Sequence, residues 1–139
     1  MIEYVTGFMF SQDLSHVALI RKLSPYWQKD KFNGIGGKIE IGETAIAAMS
    51  REFREETGVL TENREWKLFC ILERRGKYKV SFFYSICDKV YDVKTVEKEE
   101  VHICDTNQLP KDCIWNLRWL IPLALDRQIT LTFPIIIED

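Results

Sequence analysis

The chain has 139 residues, the usual length of a single domain and too short for two ordinary ones. Hydrophobic residues make up 46% and charged residues 29% of it, which excludes a disordered or membrane-embedded chain. The net charge of −2 leaves no broad basic surface for duplex nucleic acid, and the start of the sequence has neither a signal peptide nor a membrane-spanning run. We therefore expect one cytoplasmic domain over residues 1–139, with no membrane or nucleic-acid duplex as partner.

Short β-type runs rich in Val, Ile, Phe, Tyr and Thr dominate the chain. In chain order they predict strands over Ile2–Phe10, His16–Lys22, Trp66–Arg74, Val80–Cys87, Val101–Cys104 and Ile129–Ile137. Arg75-Gly76-Lys77 is typical of a hairpin turn between two of these strands. Helices are predicted over Thr44–Thr57 and Leu117–Arg127, with Pro122 near the first turn of the second helix or at a kink. This order predicts an α/β (α+β) fold in which helices cover a sheet.

Four cysteines stand far apart in the sequence, at Cys70, Cys87, Cys104 and Cys113. No pair has the spacing of about two to four residues that zinc sites use, and three of the four fall within apolar runs. We therefore expect free, buried thiols rather than metal ligands or disulfides.

The segment Gly34–Val59, GIGGKIEIGETAIAAMSREFREETGV, has the most specific pattern. Its first three glycines, Gly34, Gly36 and Gly37, predict a tight loop whose unusual backbone angles and open main chain let a phosphate or metal approach closely. Their spacing matches neither a dinucleotide-binding motif nor a P-loop. By themselves, the glycines indicate only a loop.

The helix after this loop has recognisable ends, with Thr44 suited to cap its start and Gly58 to end it. On a helical wheel, Glu52, Glu55 and Glu56 fall within one arc of about 100°. They share this arc with Ala45, Ala48 and Met49. The polar outer arc holds Ala47, Ser50, Arg54 and Thr57. An acidic run is usually a solvated face, but these glutamates lie on the side that small apolar residues mark as facing the protein.

Like charges three and four residues apart repel one another, so the three glutamates require a neutralising partner. Mg²⁺ fits, because it prefers oxygen ligands and keeps positions open for water or phosphate. Arg51 lies on the same flank as Glu52 and Glu55, where its guanidinium can hold a carboxylate through paired hydrogen bonds. An ordinary surface ion pair is the alternative role for Arg51.

These residues resemble a known family motif. The pattern Gly37-x₅-Glu43-x₇-Arg51-Glu52-Phe53-x-Glu55-Glu56-x-Gly58-Val59 is similar to a complete Nudix box. One departure is Phe53, where the family usually has Ile, Leu or Val, so packing must accommodate a ring. The resemblance implies a Nudix-type α/β/α sandwich with a mixed β-sheet and a loop-helix-loop catalytic motif.

The same resemblance implies the ligands and roles of the site. It gives Glu52, Glu55 and Glu56 as ligands of one to three Mg²⁺ ions, with Mn²⁺ as an alternative ion, and the carbonyl of Gly36 as a further ligand. Arg51 and Glu43 brace the loop and helix, and Glu55 or Glu56 acts as the base that activates a metal-bound water. Glu100 is our candidate for a metal-binding glutamate outside the box. Close alternatives are Glu99 and Glu97, and a solvated loop end is also consistent with this acidic run.

Family subgroups differ in residues outside the box. The proline that follows the box in ADP-ribose enzymes is absent, as are the motifs of the NADH and coenzyme A enzymes. What remains is similar to MutT-like nucleoside triphosphate pyrophosphohydrolases, and in part to the 8-oxo-dGTP diphosphatase type. The two acidic residues with which that type reads the base are missing, which leaves its specificity open.

Several residues are candidates for substrate contacts. By resemblance, Asn33 contacts the base; Lys38 could pair with a phosphate, or be an ordinary exposed lysine. Trp115 could stack on a base and Asn116 could bond its edge, whereas Trp119 is better suited to the core. The predicted reaction is hydrolysis of a (d)NTP to a (d)NMP and pyrophosphate, in a monomer or homodimer. The alternatives are hydrolysis of another nucleoside diphosphate derivative, such as a nucleotide sugar or dinucleotide, and a nucleotide-sensing module without catalysis.

Overall fold

The computed structural model describes all residues of the chain, 1–139, as eight strands and two α-helices with three short 3₁₀ turns. The strands are β1 (Ile2–Phe10), β2 (His16–Arg21), β3 (Phe32–Asn33), β4 (Ile35–Lys38), β5 (Lys67–Arg74), β6 (Tyr78–Ile86), β7 (Glu100–Asp105) and β8 (Ile135–Glu138). The helices are α1 (Ala45–Thr57) and α2 (Leu117–Leu125). The α/β (α+β) fold predicted from the sequence is confirmed.

The sheet is mixed, and β1 lies at its centre. β1 runs parallel to β6 along one edge, and on its other edge it pairs antiparallel with β4 and, further along, with β2. β5 pairs antiparallel with β6 and parallel with β8. β2 pairs antiparallel with both β7 and β3, so the glycine-rich segment and the start of β7 lie near opposite edges of one strand.

The helices cover the two faces of this sheet. Phe8, Phe10 and Leu19 of β1 and β2 pack with α2 on one face. Met9 and Ile20, their neighbours along the same strands, pack with α1 on the other face. Alternate residues of one strand therefore enter different cores, as expected for a sheet buried on both sides. This arrangement confirms the predicted α/β/α sandwich, and neither helix is long and apolar enough to cross a membrane.

The ends of α1 form as the sequence predicts. The Thr44 hydroxyl accepts a hydrogen bond from Ala47 N at 3.2 Å. Gly58 takes a left-handed conformation, with φ of 78°, and its N–H donates to Arg54 O at 2.8 Å. Only glycine adopts this conformation without strain, which explains why the helix ends there. The ring of Phe53 is buried and packs edge-on against Trp66, with centroids 5.1 Å apart, so this face of α1 accommodates the bulkier residue.

Other predicted elements change at their boundaries or in length. The hairpin turn between β5 and β6 is confirmed, with Gly76 at positive φ. The predicted strand Ile129–Ile137 is wrong over its first half, because β8 begins only after Pro134, which lacks a backbone donor. Pro122 lies inside α2 rather than in its first turn, and α2 ends at Leu125. All four cysteines are free thiols, as expected; Cys70 and Cys113 are buried, whereas Cys87 and Cys104 are only partly buried.

Candidate active site

Arg51 is the centre of the hydrogen-bond network on α1. Its Nε and Nη2 donate to the two carboxylate oxygens of Glu43, at 2.7 and 2.9 Å. Its Nη1 donates to Glu52 at 2.9 Å and to Glu55 at 3.2 Å, and Nη2 also donates to Lys38 O at 3.0 Å. The paired bonds to Glu43 raise the pKa of Arg51, and they lower the pKa of Glu43. One guanidinium therefore ties the helix to the loop before it and to the end of β4.

Glu52 lies directly against the backbone of β4. A Cβ atom added at Gly37 would come within 2.5 Å of the Glu52 carboxylate, so only glycine leaves room for that group. Burial raises the pKa of Glu52, and the bond from Arg51 opposes this shift. Glu52 is thus held between a guanidinium and a bare stretch of main chain.

The glycines have a different role from the one predicted. Gly36 and Gly37 belong to β4, and Gly34 lies between β3 and β4; none of the three has a positive φ. They are needed for space, since a Cβ at Gly36 would lie 1.9 Å from Val5 O on β1, and one at Gly34 would lie 2.7 Å from Thr6 Cγ2. The predicted tight loop is therefore a strand whose missing side chains allow β1 and α1 to approach closely.

Glu56 differs from the other glutamates of α1 because it forms no ion pair, whereas Glu52 and Glu55 are bound by Arg51. Its Oε2 is buried and has no hydrogen-bond partner. Burial, followed by the charges of Glu97, Glu99 and Glu52, raises the pKa of Glu56 to about 7, and Lys22 opposes this shift. An unpaired buried carboxylate oxygen is costly, so this position favours a ligand that brings positive charge.

The acidic run before β7 contributes unequally to the site. Glu97 acts electrostatically on both Glu52 and Glu56, whereas Glu99 is bound by Lys22 Nζ at 2.9 Å. Glu100, our sequence-based candidate, is the first residue of β7 and lies 3.1 Å from His102 Nε2 with its side chain 59% exposed. Glu97 is also exposed, but its charge acts on Glu52 and Glu56, and this electrostatic coupling favours it over Glu100 as the outside carboxylate.

The helix prediction needs two corrections. Thr57, assigned to the outer polar arc, is fully buried and its hydroxyl donates to Phe53 O at 2.6 Å. Glu55, assigned to the protein-facing arc, has a side chain that is 46% exposed. The apolar stripe of α1 is thus rotated towards Phe53 and Thr57, and Glu55 lies at its edge next to solvent.

The residues of this site fit a hard divalent cation. Glu52, Glu55 and Glu56 supply only oxygen atoms, the ligands that Mg²⁺ prefers, and the unpartnered Oε2 of Glu56 is the group that a cation would satisfy. In the present conformation no three His, Cys, Asp or Glu side chains are grouped closely enough to form a metal site. Arg51 holds Glu52 and Glu55, so a cation would have to draw these carboxylates towards Glu56.

Comparison with known proteins identifies this arrangement. The NUDIX domain model matches residues 4–121, which is most of the chain. The chain belongs to the Nudix family. It is therefore a Nudix hydrolase domain, of the family that acts on nucleoside diphosphate derivatives and generally uses divalent metal ions. No curated protein is significantly similar to it in sequence.

Solved structures share the Nudix fold with this chain. A MutT NUDIX hydrolase from Burkholderia pseudomallei has a TM-score of 0.72 at 17% identity, with 88% of this chain and 96% of that chain covered. A structure from a study of MutT from Aliivibrio salmonicida and Vibrio cholerae gives 0.67 at 21%, with 88% and 95% covered. The NUDIX domain of Shewanella oneidensis NrtR, complexed with ADP ribose, gives 0.69 at 16%, with 93% and 89% covered. At these identities the likeness concerns the fold.

The predicted substrate-contacting residues of this Nudix domain come from two segments that the fold joins. Phe32 of β3 accepts a hydrogen bond from Ile114 N at 2.8 Å and donates to Asp112 O at 2.7 Å. Asn33 therefore lies one residue from the strand position that binds the 112–114 segment, and Trp115 and Asn116 follow that segment directly. The fold thus brings together segments about eighty residues apart in the sequence.

These candidate side chains differ in solvent exposure and in hydrogen bonding. Trp115 is 73% exposed, and Arg118 Cζ lies 4.5 Å above its ring. Asn116 has a buried Oδ1 without a hydrogen-bond partner. By contrast, Asn33 Nδ2 donates to Gln28 Oε1 at 3.1 Å, and Asn33 Oδ1 accepts from Gly34 N at 2.8 Å. Lys38 is exposed at the end of β4, and its carbonyl accepts from Arg51. Trp119, assigned to the core, retains an exposed fraction of 37%.

One cavity of the Nudix domain lies away from these residues. It has a volume of about 230 Å³ and lies between the end of α2 and strands β5 and β6. Neither the glutamates of α1 nor the residues at 112–116 line it. We place the candidate active site at the carboxylates, because the oxygen ligands and the unpaired charge are there.

Sequence reasoning missed one residue of this site and ranked another too low. Lys22, whose charge reaches Glu56, was treated only as the end of a predicted strand. Glu97 was an alternative behind Glu100. No local pattern could have distinguished them, because the positions of both depend on the pairing of β2 with β7.

Proposed function

We propose that this Nudix domain is a Mg²⁺-dependent pyrophosphohydrolase that converts a (d)NTP to a (d)NMP and pyrophosphate, with a role in cleansing the cytoplasmic nucleotide pool. The observation that carries the proposal is Glu56, a carboxylate with a buried, unpartnered oxygen beside Glu52 and within the field of Glu97 and Glu99. These carboxylates would hold a divalent cation, whose charge would remove the repulsion between them. Four free cysteines fit a reducing compartment.

In this proposal Glu52 and Glu56 are the principal metal ligands, with Glu55, Glu97 and the carbonyl of Gly36 as further oxygen donors. Glu52 and Glu56 are four residues apart on one helix, so their carboxylates lie on the same side of α1. The bound ion would neutralise charge on the phosphoryl oxygens and lower the pKa of a coordinated water. Glu100 is retained only as a weaker candidate, because it faces His102.

Glu55 is the carboxylate that we assign as the proton acceptor. It is exposed enough to meet solvent water, and its bond from Arg51 Nη1 fixes its orientation. Water would attack a phosphorus atom of the triphosphate, the bond to the bridging oxygen would break, and the proton of the water would pass to a Glu55 oxygen. Arg51 does not contact the substrate in this scheme. It positions Glu52 and Glu55.

The base of the nucleotide would lie near β3 and the start of α2. Trp115 offers a ring face for stacking on a base, while Arg118 covers the ring on one side. The unpartnered Oδ1 of Asn116 would accept a hydrogen bond from the base edge, and Asn33 would contribute a second polar group. Lys38, beside Gly37 at the end of β4, would pair with a phosphate oxygen.

The choice of a triphosphate is supported by absences in the sequence and by the fold of the MutT hydrolases. An ADP-ribose-like substrate is the second candidate, since the NUDIX domain of NrtR is complexed with ADP ribose and has a similar fold. A module that binds nucleotides without hydrolysis is the third, although Glu52, Glu55 and Glu56 are all present.

The test is a panel of nucleotides incubated with purified protein and Mg²⁺, with products followed by phosphorus NMR. We expect (d)NTPs to give pyrophosphate and nucleoside monophosphate, and we expect EDTA to abolish the reaction. ADP-ribose, nucleotide sugars and dinucleoside polyphosphates complete the panel.

The outcomes separate the candidates. Release of inorganic phosphate alone from a triphosphate would contradict the proposed cleavage. Turnover confined to ADP-ribose or another diphosphate derivative would replace the substrate but keep the enzyme class. Tight binding of a nucleotide with no product from any compound would overturn the enzyme assignment.

A further inference from the structure

Lys22 and Glu99 form an unusually buried ion pair for this protein. Their side chains are only 20% and 16% exposed, and Lys22 Nζ lies 2.9 Å from Glu99 Oε1. Outside the Arg51 network, every other ion pair includes a side chain that is at least 40% exposed. The second oxygen of Glu99 accepts a hydrogen bond from Leu23 N at 2.5 Å. Both oxygens of Glu99 therefore have a donor, which gives this side chain one orientation.

The pair lies where two strands end. β2 and β7 pair antiparallel, and the last partners in the ladder are Arg21 and Glu100. Lys22 and Glu99 occupy the next position beyond that ladder, so the ion pair extends the contact between the strands by one step. It thereby fixes the chain that leads into β7 to the end of β2.

This chain segment, residues 94–99, is attached at its other end to the catalytic helix. Lys94 N donates to Thr57 O, the last residue of α1, at 3.1 Å. The side chain of Lys94 also lies over Gly58, because an added Cβ there would meet Lys94 Cε at 3.0 Å. The segment is therefore held by α1 at Lys94 and by β2 at Glu99, and Glu97 lies between these two attachments.

Repulsion between the carboxylates of this segment and those of α1 opposes holding the segment against the helix. The charge of Glu97 acts on Glu52 and Glu56 of α1, that of Glu99 acts on Glu56, and carboxylates of like charge repel each other. Lys22 is the cation that acts on Glu56 from this side. Without Lys22, the acidic segment would move away from α1, and Glu97 would leave the other carboxylates.

We propose that Lys22, acting through Glu99, is a positioning residue that holds the 94–99 segment against α1 so that Glu97 joins Glu52 and Glu56 in binding the divalent cation. The inference rests on the proposed function, because it concerns the same metal site. It assigns Lys22 no contact with substrate. Loss of an outer partner of this kind typically weakens metal affinity by about 10–100-fold.

The sign of the effect distinguishes positioning from simple electrostatics. Replacing Lys22 by Met removes a positive charge near a cation site, and by Coulomb attraction alone this change would strengthen metal binding. A positioning role predicts the opposite, namely binding of Mn²⁺ that is about tenfold weaker. The affinity is measured by electron paramagnetic resonance of free Mn²⁺, which needs no turnover.

Four further variants complete the experiment. We expect Lys22→Arg to restore most of the affinity, since a guanidinium can still bind Glu99. Glu97→Gln should weaken Mn²⁺ binding about as much as Lys22→Met, and the double variant should be no weaker than either. The control is Lys79→Met, which removes a lysine from the Glu3 ion pair on β1 and β6 and should leave affinity unchanged. Melting temperatures show whether each variant is folded at the assay temperature.

The results decide between the two proposals. Wild-type protein that binds no Mn²⁺ would overturn both. Wild-type binding that is retained or strengthened in folded Lys22→Met, or losses that add fully in the double variant, would overturn the role of Lys22 alone. If Lys22→Met is unfolded, Lys22→Gln takes its place, because it also removes the charge; Mn²⁺ binding that is retained or strengthened in this variant would overturn the role of Lys22.

Discussion

The acidic cluster formed by α1 and the loop before it has two halves that differ in how their charge is satisfied. Glu43, Glu52 and Glu55 all bond to Arg51, at 2.7 to 3.2 Å. Glu56, on the same helix, has a buried oxygen with no partner and only other carboxylates nearby, apart from Lys22. The paired half is held in place by the protein itself, whereas the unpaired half is complete only with a ligand. The contrast indicates which carboxylates Arg51 already orients and which one has no partner within the protein.

The largest effect should come from Glu56→Gln, because it removes charge from the unpaired half. We expect kcat to fall by about 10³-fold or more, with Mn²⁺ affinity lost as well. Glu55→Gln should lower kcat by about 10²-fold and weaken Mn²⁺ binding much less than Glu56→Gln does, because Glu55 is assigned the proton and is not a principal metal ligand. Rapid-quench kinetics and Mn²⁺ titration measure the two quantities. Equal loss of metal binding in both variants would contradict this division of roles.

Arg51→Lys removes hydrogen bonds from the paired half while keeping the positive charge at position 51. A lysine cannot bond both oxygens of Glu43 and still reach Glu52 and the Lys38 carbonyl. We expect a free energy of unfolding lower by about 2 kcal/mol and a kcat lower by about 10²-fold. Urea unfolding and steady-state kinetics test this. Arg54→Lys, on the exposed side of α1, is the matched control and should change neither.

A smaller effect is expected at the substrate end. Trp115→Ala should raise KM for a (d)NTP by about tenfold at unchanged kcat, since one stacking contact contributes about 1–3 kcal/mol. The variant Phe133→Ala removes another exposed aromatic ring, near β8, and serves as the control. An unchanged KM in Trp115→Ala would remove this residue from the substrate site.

The smallest effect is a pH dependence of stability in the metal-free protein. Because the folded-state pKa of Glu56 is about 7, above its usual value of 4.5, the folded state retains a proton between these values that the unfolded state has lost. The stabilisation is complete below pH 4.5 and is lost as the pH rises through 7. From pH 5 to pH 8 the unfolding free energy should fall by on the order of 1 kcal/mol after solvent screening.

In acid, the paired half should give the unfolding free energy the opposite dependence on pH. Arg51 holds the pKa of Glu43 below its usual value, so Glu43 stabilises the fold at neutral pH and this contribution is lost as the pH falls through its folded pKa. Urea unfolding in EDTA, from acid below pH 4.5 up to pH 8, measures both slopes. Glu56→Gln should flatten the fall between pH 5 and pH 8. A wild-type profile with no fall there would contradict the unpaired state of Glu56.

Sequence alone determined the parts of this protein that depend on local pattern. The spacing from Gly37 to Val59 predicted the family, the helix, its caps and the glutamates, because residues three and four apart on one helix must share a face. Most strands were also predicted from their β-branched and aromatic runs. The glycines were predicted to form a tight loop, whereas in the structure they give space to β1 and to Glu52.

Only the tertiary structure decided which distant residues contact the glycines and the acidic side chains. The close approach of β1 to Gly36 and of Glu52 to Gly37 became visible only when the strands were paired. The preference for Glu97 over Glu100 depends on how the segment before β7 passes α1, which brings the charge of Glu97 to act on Glu52 and Glu56. The pairing of Lys22 with Glu99 joins residues 77 positions apart, and no helical or strand period relates such distant positions.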